Sequence, residues 1–263
     1  MKYFVADAFT DEQFRGNPAG VCLPDKWPDD QLMQNIAFEN NLAETAFIVK
    51  KDNLYELRWF TPETEMDLCG HATLAGAFII KNFVDNSDSI SFDTKSGILT
   101  VNYIREKDLY EMDFPARKPI KTDIDETVRK AISAPLREAH ISRDLLLLTD
   151  TEEQVKNLEI DFELLKTCKD CFAFIVTAPS SDSRYDFVSR FFAPNAGIPE
   201  DPVTGSAHST LIPFWAERLG KNKLIARQLS KRGGTLYCEY NGERVKIAGK
   251  AKLYLEGTIL KDA

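Results

Sequence analysis

The chain has 263 residues, 43% of them apolar and 28% charged, the make-up of an ordinary globular protein large enough for two domains with a core each. Its formal net charge of −8, with no compensating basic stripe, argues against a nucleic-acid partner, and the densest basic run, Ser230–Gly234, reads as a solvated turn. No apolar run is long enough to span a bilayer, and five widely spread cysteines, an odd number, point to a reducing, cytoplasmic setting.

In chain order, Met1–Phe9 reads as a strand, lacking the apolar region and cleavage site of a secretory leader. Residues 29–40 predict an amphipathic helix, capped by Asp29 or Asp30, with Leu32, Met33, Ile36 and Ala37 facing inward. Thr45–Val49 and Leu54–Phe60 alternate with period two, as do Leu99, Val101 and Tyr103, so these are strands with one buried face. The segment from His71 to Ile80 is apolar on almost every side. A helix of that kind must be buried, and wrapping it in a curled sheet is one way to do so. Pro115 and Pro119 mark a linker, giving an N-terminal domain 1–115 and a C-terminal domain 120–251.

Further along, His140 falls on a surface strand and is assigned no role. Cys168 and Cys171 have the spacing of half a zinc site or a redox pair. No second such pair or nearby histidine completes a ligand set, so they read as ordinary thiols and no metal is expected. A second all-round apolar helix opens at Ser206. Asn241-Gly242 signals a hairpin, and the last strand, Lys252–Glu256, is placed back in the first domain with residues 252–263.

The two halves repeat one plan. Ala46–Val49 and Ala173–Val176 are both Ala-Phe-Ile-Val, and Arg58–Pro62 answers Arg190–Pro194. Gly70-His71-Ala72 answers Gly205-Ser206-Ala207, and Gly97-x-Leu99 answers Gly234-x-Leu236. The offset grows from 127 to 137 along the chain, as loop insertions in the second copy require.

Both apolar helices therefore open on a glycine, Gly70 or Gly205. A helix N-terminus leaves backbone N–H groups unpaired and carries partial positive charge, and glycine lets a ligand approach that backbone. Two such mouths meeting between domains would make a cationic pocket without basic side chains, suited to a small carboxylate substrate. Well-capped buried helices would look the same taken singly, but two of the three histidines, His71 and His208, fall in these segments, and Asp201 lies just upstream of Ser206. For acid/base chemistry the candidates are Glu44, at the edge of a dry strand, and Asp201. A solvent-exposed strand-start glutamate is the competing reading of Glu44.

Taken together, Asn17–Val21, Glu44–Phe47, Leu57–Ala77 and Asp201–Leu211 resemble the PhzF family of phenazine-biosynthesis-type isomerases, over essentially the whole chain. The resemblance implies an α+β fold of the diaminopimelate epimerase type: two pseudo-symmetric domains, each a curled sheet around a central helix, with the site in the cleft. It implies proton transfer without cofactor or metal, and a homodimer. Position by position it makes Glu44 the proton-transferring group, with His71, Asp201 and Ser206 orienting the substrate and sharing its proton. The epimerase relatives resemble a two-thiol machine, whereas here Cys69 at the first mouth is answered by Thr204, a hydroxyl too weakly acidic for that task. A Cys69-dependent epimerase or dehydratase and a non-catalytic binding protein on the same fold are the alternatives.

Overall fold

The computed structural model describes residues 1–260, which fall into two units: Met1–Asp113 with residues 248–260, and Phe114–Ile247. The first half of the chain runs β1 (Lys2–Ala8), β2 (Asn17–Leu23), α1 (Asp30–Asn40), β3 (Glu44–Lys51), β4 (Leu54–Phe60), β5 (Glu65–Met66), α2 (Gly70–Phe83), β6 (Ser89–Thr94), β7 (Gly97–Ile104) and β8 (Leu109–Pro115). The second runs β9 (Ile120–Thr122), α3 (Glu126–Ala131), β10 (Glu138–Ile141), β11 (Leu145–Leu148), α4 (Glu152–Lys156), α5 (Phe162–Leu165), β12 (Phe174–Pro179), β13 (Phe187–Ala193), β14 (Ile198–Asp201), α6 (Gly205–Leu219), β15 (Lys223–Gln228), β16 (Gly234–Asn241), β17 (Arg244–Gly249) and β18 (Ala251–Thr258).

Strand pairing follows one scheme twice. In the first unit β1 lies antiparallel to β2 and, on its other side, to β18; β2 runs parallel to β3; β3, β4 and β5 are successively antiparallel; β4 runs parallel to β6, and β6 is antiparallel to β7. In the second unit β10 lies between β9 and β11, β11 runs parallel to β12, β12 to β14 are antiparallel, and β13 runs parallel to β15, which pairs with β16. The fold is α+β, with each long apolar helix enclosed by its own curled sheet.

Period two decides what each helix meets. In β3, Phe47 points to the outer face, where Met33, Ile36 and Ala37 of α1 cover it together with Cys22 and Phe60. Ile48 points the other way, close against Gly76 of α2. Ten residues of α2 and eleven of α6 are buried, so each helix has lost its solvent face almost completely. Each fully buried Leu or Ile on them contributes about 1.5–3 kcal/mol. In the second unit α3 to α5 take the outer role: Val128, Val155 and Leu165 pack on Phe174, Val176 and Phe192.

One match in the repeat is corrected by register. Arg58 sits opposite Phe47, but Arg190 sits opposite Val176, not Phe174. The Ala-Phe-Ile-Val match is therefore slipped by two residues. A slip of two keeps every side chain on its face, which is why the apolar pattern concealed it. The true counterpart of Glu44 is Ala173, so the second copy lacks that carboxylate.

Candidate active site

Glu44 is the first residue of β3 and shares the parity of Ala46 and Ile48, so its side chain points inward, toward α2. It is buried, with 8% of its surface exposed, and the expectation of an exposed strand-start glutamate fails on that figure. His71, second residue of α2, is buried too, and its Nε2 lies 3.1 Å from Glu44 Oε2. That approach falls outside hydrogen-bonding geometry, and both atoms are buried without another hydrogen-bond partner. On the other side of the ring, Cys69 Sγ is 3.6 Å from Nδ1.

Burial opposes a charge on His71, but the neighbouring Cys69 sulfur and Glu44 carboxylate outweigh it, and the imidazole is held well above its ordinary value. Burial pushes the Cys69 thiol up, and Glu44 adds to that. Glu44, Cys69 and His71 form the only group of metal-ligating side chains of this kind among the described residues, with one ligand atom from each within 4.8 Å of the others. The adjoining helix N-terminus favours an anion over a cation.

The α2 mouth is uncapped. Its N-cap is Cys69, which makes no side-chain cap hydrogen bond, so the first-turn N–H groups keep their capacity for a ligand. The α6 mouth reaches the same condition differently. Its N-cap, Thr204, is a residue type that normally caps, but its hydroxyl donates to Asp201 Oδ2 instead. Gln228, fully buried on β15, locks this arrangement: it accepts from Thr204 N at 2.9 Å and donates to Asp201 O at 2.7 Å.

Ser206, second residue of α6, accepts a hydrogen bond of 3.2 Å from Arg143 Nη2. The expectation of mouths without basic side chains is thereby corrected at α6. The turn joining β10 and β11 carries that arginine, 63 residues from the serine, and sequence spacing holds no sign of it.

His208 is corrected as well. Its Nδ1 donates to Thr204 O at 2.8 Å and its ring stacks on Phe187 at 6.0 Å, so it is a core residue rather than part of the mouth. Burial lowers it to about 4, which keeps it neutral. Thr73 is its counterpart in α2, bonding the N-cap carbonyl of Cys69 at 2.5 Å.

Each mouth is also held from below in the same way. Arg58 grips Glu65 through two hydrogen bonds of 2.7 and 2.9 Å, and Arg190 grips Glu200 at 2.6 and 2.9 Å. These bidentate pairs fix β5 and β14, the short strands that lead into the helices.

The phenazine biosynthesis-like family model, PhzC-PhzF, matches residues 6–257. An uncharacterized isomerase of Pseudomonas aeruginosa is 49% identical over 260 residues, 98% of each chain. The crystal structure of a phenazine biosynthesis protein of the PhzF family from Enterococcus faecalis, 45% identical, superposes with a TM-score of 0.95 over 98% of this chain and 99% of that one. A probable proline racemase from Agrobacterium radiobacter, 9% identical, shares the fold alone, with a TM-score of 0.63 over 99% of this chain and 93% of the other.

Proposed function

The chain belongs to the PhzC-PhzF family of phenazine biosynthesis-like proteins, and from that premise we propose that it is an isomerase moving a carbon-bound proton within a small cyclic or unsaturated carboxylic acid. Glu44 takes the proton, the electron pair left behind delocalises toward the substrate's carboxyl group, and Glu44 returns the proton to another carbon of the same molecule. Its carboxylate is regenerated and nothing else is consumed. The first-turn N–H groups of Gly70 and His71 hold the substrate carboxylate and stabilise the enolate-like charge. A protonated His71 beside them adds positive charge to the same helix mouth. Asp201 and Ser206, in the second unit, keep the orienting role that the family resemblance implies for them.

The observation that carries this reading is the pairing of Glu44 Oε2 and His71 Nε2, both buried and both lacking a hydrogen-bond partner, at a helix mouth without a cap. The two atoms face each other at 3.1 Å with no further partner, and a bound acid group would offer a hydrogen-bonding partner at this mouth. The test is deuterium incorporation from D₂O into cyclic unsaturated acids, followed for wild type and Glu44→Gln. Exchange is expected to fall by at least about a hundredfold in the variant; equal exchange removes Glu44 from the role.

The contact between Cys69 and His71 supports a second reading, in which the thiol carries a proton for an epimerase or dehydratase. Against it, the cap position of α6 is Thr204, already committed to Asp201. Cys69→Ala separates the two: retained exchange supports Glu44 alone, and complete loss supports the thiol.

A further inference from the structure

We propose that Arg143 is a positioning and specificity residue of the α6 mouth, fixing the Ser206 hydroxyl so that this mouth takes an anionic group of the substrate; this rests on the function proposed above. The turn carrying it is built around the guanidinium. Asp144, whose side chain is fully buried, accepts from Arg143 Nε at 2.8 Å and Nη2 at 2.7 Å. Phe172 stacks against the guanidinium at 4.8 Å, and its N–H donates to the Arg143 carbonyl at 3.1 Å. Ser142, just before, meets the Thr210 hydroxyl at 2.9 Å. Thr210 lies one helical turn below Ser206 on the same side of α6, so the turn is fastened to the helix at two levels.

The consequence for Ser206 follows from donor and acceptor counting. A serine hydroxyl has one proton and two lone pairs. Arg143 Nη2 takes a lone pair at 3.2 Å, so the Ser206 O–H is turned away from a charge that repels it and remains free to donate. A hydroxyl polarised by a guanidinium, beside uncapped helix N–H groups, suits an anion and disfavours a neutral isostere. Arg117 is half-buried and close enough to Arg143 to be repelled by it, and its Nη1 is buried without a partner. Lysine could not replace Arg143, because only a planar fork reaches Asp144 twice and Ser206 once.

The test titrates the protein with benzoate and with its neutral isostere benzamide, following backbone amide resonances of Gly205, Ser206 and Ala207. In wild type, benzoate is expected to move these amides and benzamide to leave them in place. Arg143→Gln is expected to weaken benzoate about tenfold, and Arg143→Lys, which restores charge but not the fork, to recover part of that loss. Because Arg143→Gln leaves Asp144 buried without its partner, Ser206→Ala serves as the variant that keeps the pair intact; it is expected to lose several-fold in benzoate affinity. Unchanged affinity in either folded variant overturns the proposal. So does a wild-type α6 mouth that ignores benzoate, an outcome that leaves the Glu44 reading standing if deuterium exchange still depends on that residue.

Discussion

His71 and His208 occupy comparable helices, yet they titrate in opposite directions. His71 is raised above the ordinary 6.5, so the stability it contributes is complete below that value and is lost as pH rises through its folded-state value. His208 is lowered to about 4, so its contribution is complete above 6.5 and is lost as pH falls from there toward 4, a cost on the order of 3 kcal/mol. Denaturant unfolding across pH 4–9 should therefore show two limbs. His208→Asn is expected to flatten the acid limb and His71→Asn the alkaline one; identical profiles for both variants would contradict the assignment. The four residues read from sequence as a site, Glu44, His71, Asp201 and Ser206, are polar groups in apolar surroundings, and that contrast is visible along the chain. Arg143 and Gln228 were not visible, because their partners lie 63 and about 24–27 residues away and no local pattern links them.

At the scale of elements, two glycines show how helix and strand are packed. A Cβ on Gly249 would stand 2.4 Å from Phe9 Cδ1 and 3.2 Å from its Cα. Phe9 is fully buried with a left-handed φ of 63°, so neither ring nor backbone can give way. Gly249→Ala is expected to cost about 1–3 kcal/mol in thermal unfolding. A Cβ on Gly76 would meet only Ile48 Cδ1 within 3 Å, the far end of a flexible side chain. There the gain of about 1 kcal/mol in helix propensity offsets the crowding, and Gly76→Ala is expected to be close to neutral. Pro213, inside α6, has no N–H for the Ser209 carbonyl; the Arg117 N–H serves it instead at 2.8 Å. That bond fastens the start of the second unit to its central helix.

On the scale of the whole molecule, the repeat is completed by strands from different places in the chain. β9 follows directly after β8 and pairs with β10, whereas its counterpart β18 comes from the far end of the chain to pair with β1. Removing residues 251–263 is expected to expose the edge of β1 and abolish the hydrogen-exchange protection of the first unit, while amides of β12 and β13 stay protected; uniform protection in the truncated chain would refute this. We propose the homodimer that the family resemblance implies, and light scattering is expected to give twice the chain mass of 29.8 kDa.

The amino-acid sequence by itself determined the duplicated α+β plan, the two all-round apolar helices and the glycine at each mouth, because periodicity and helix capping are local properties of neighbouring residues. Tertiary structure alone decided the rest. It set the strand register that makes Ala173 the counterpart of Glu44, the diversion of the Thr204 hydroxyl to Asp201, the withdrawal of His208 into the core, and the guanidinium over Ser206. Each of these depends on which distant backbone segments come within hydrogen-bond reach once the sheets close, and that distance is not a function of separation along the chain.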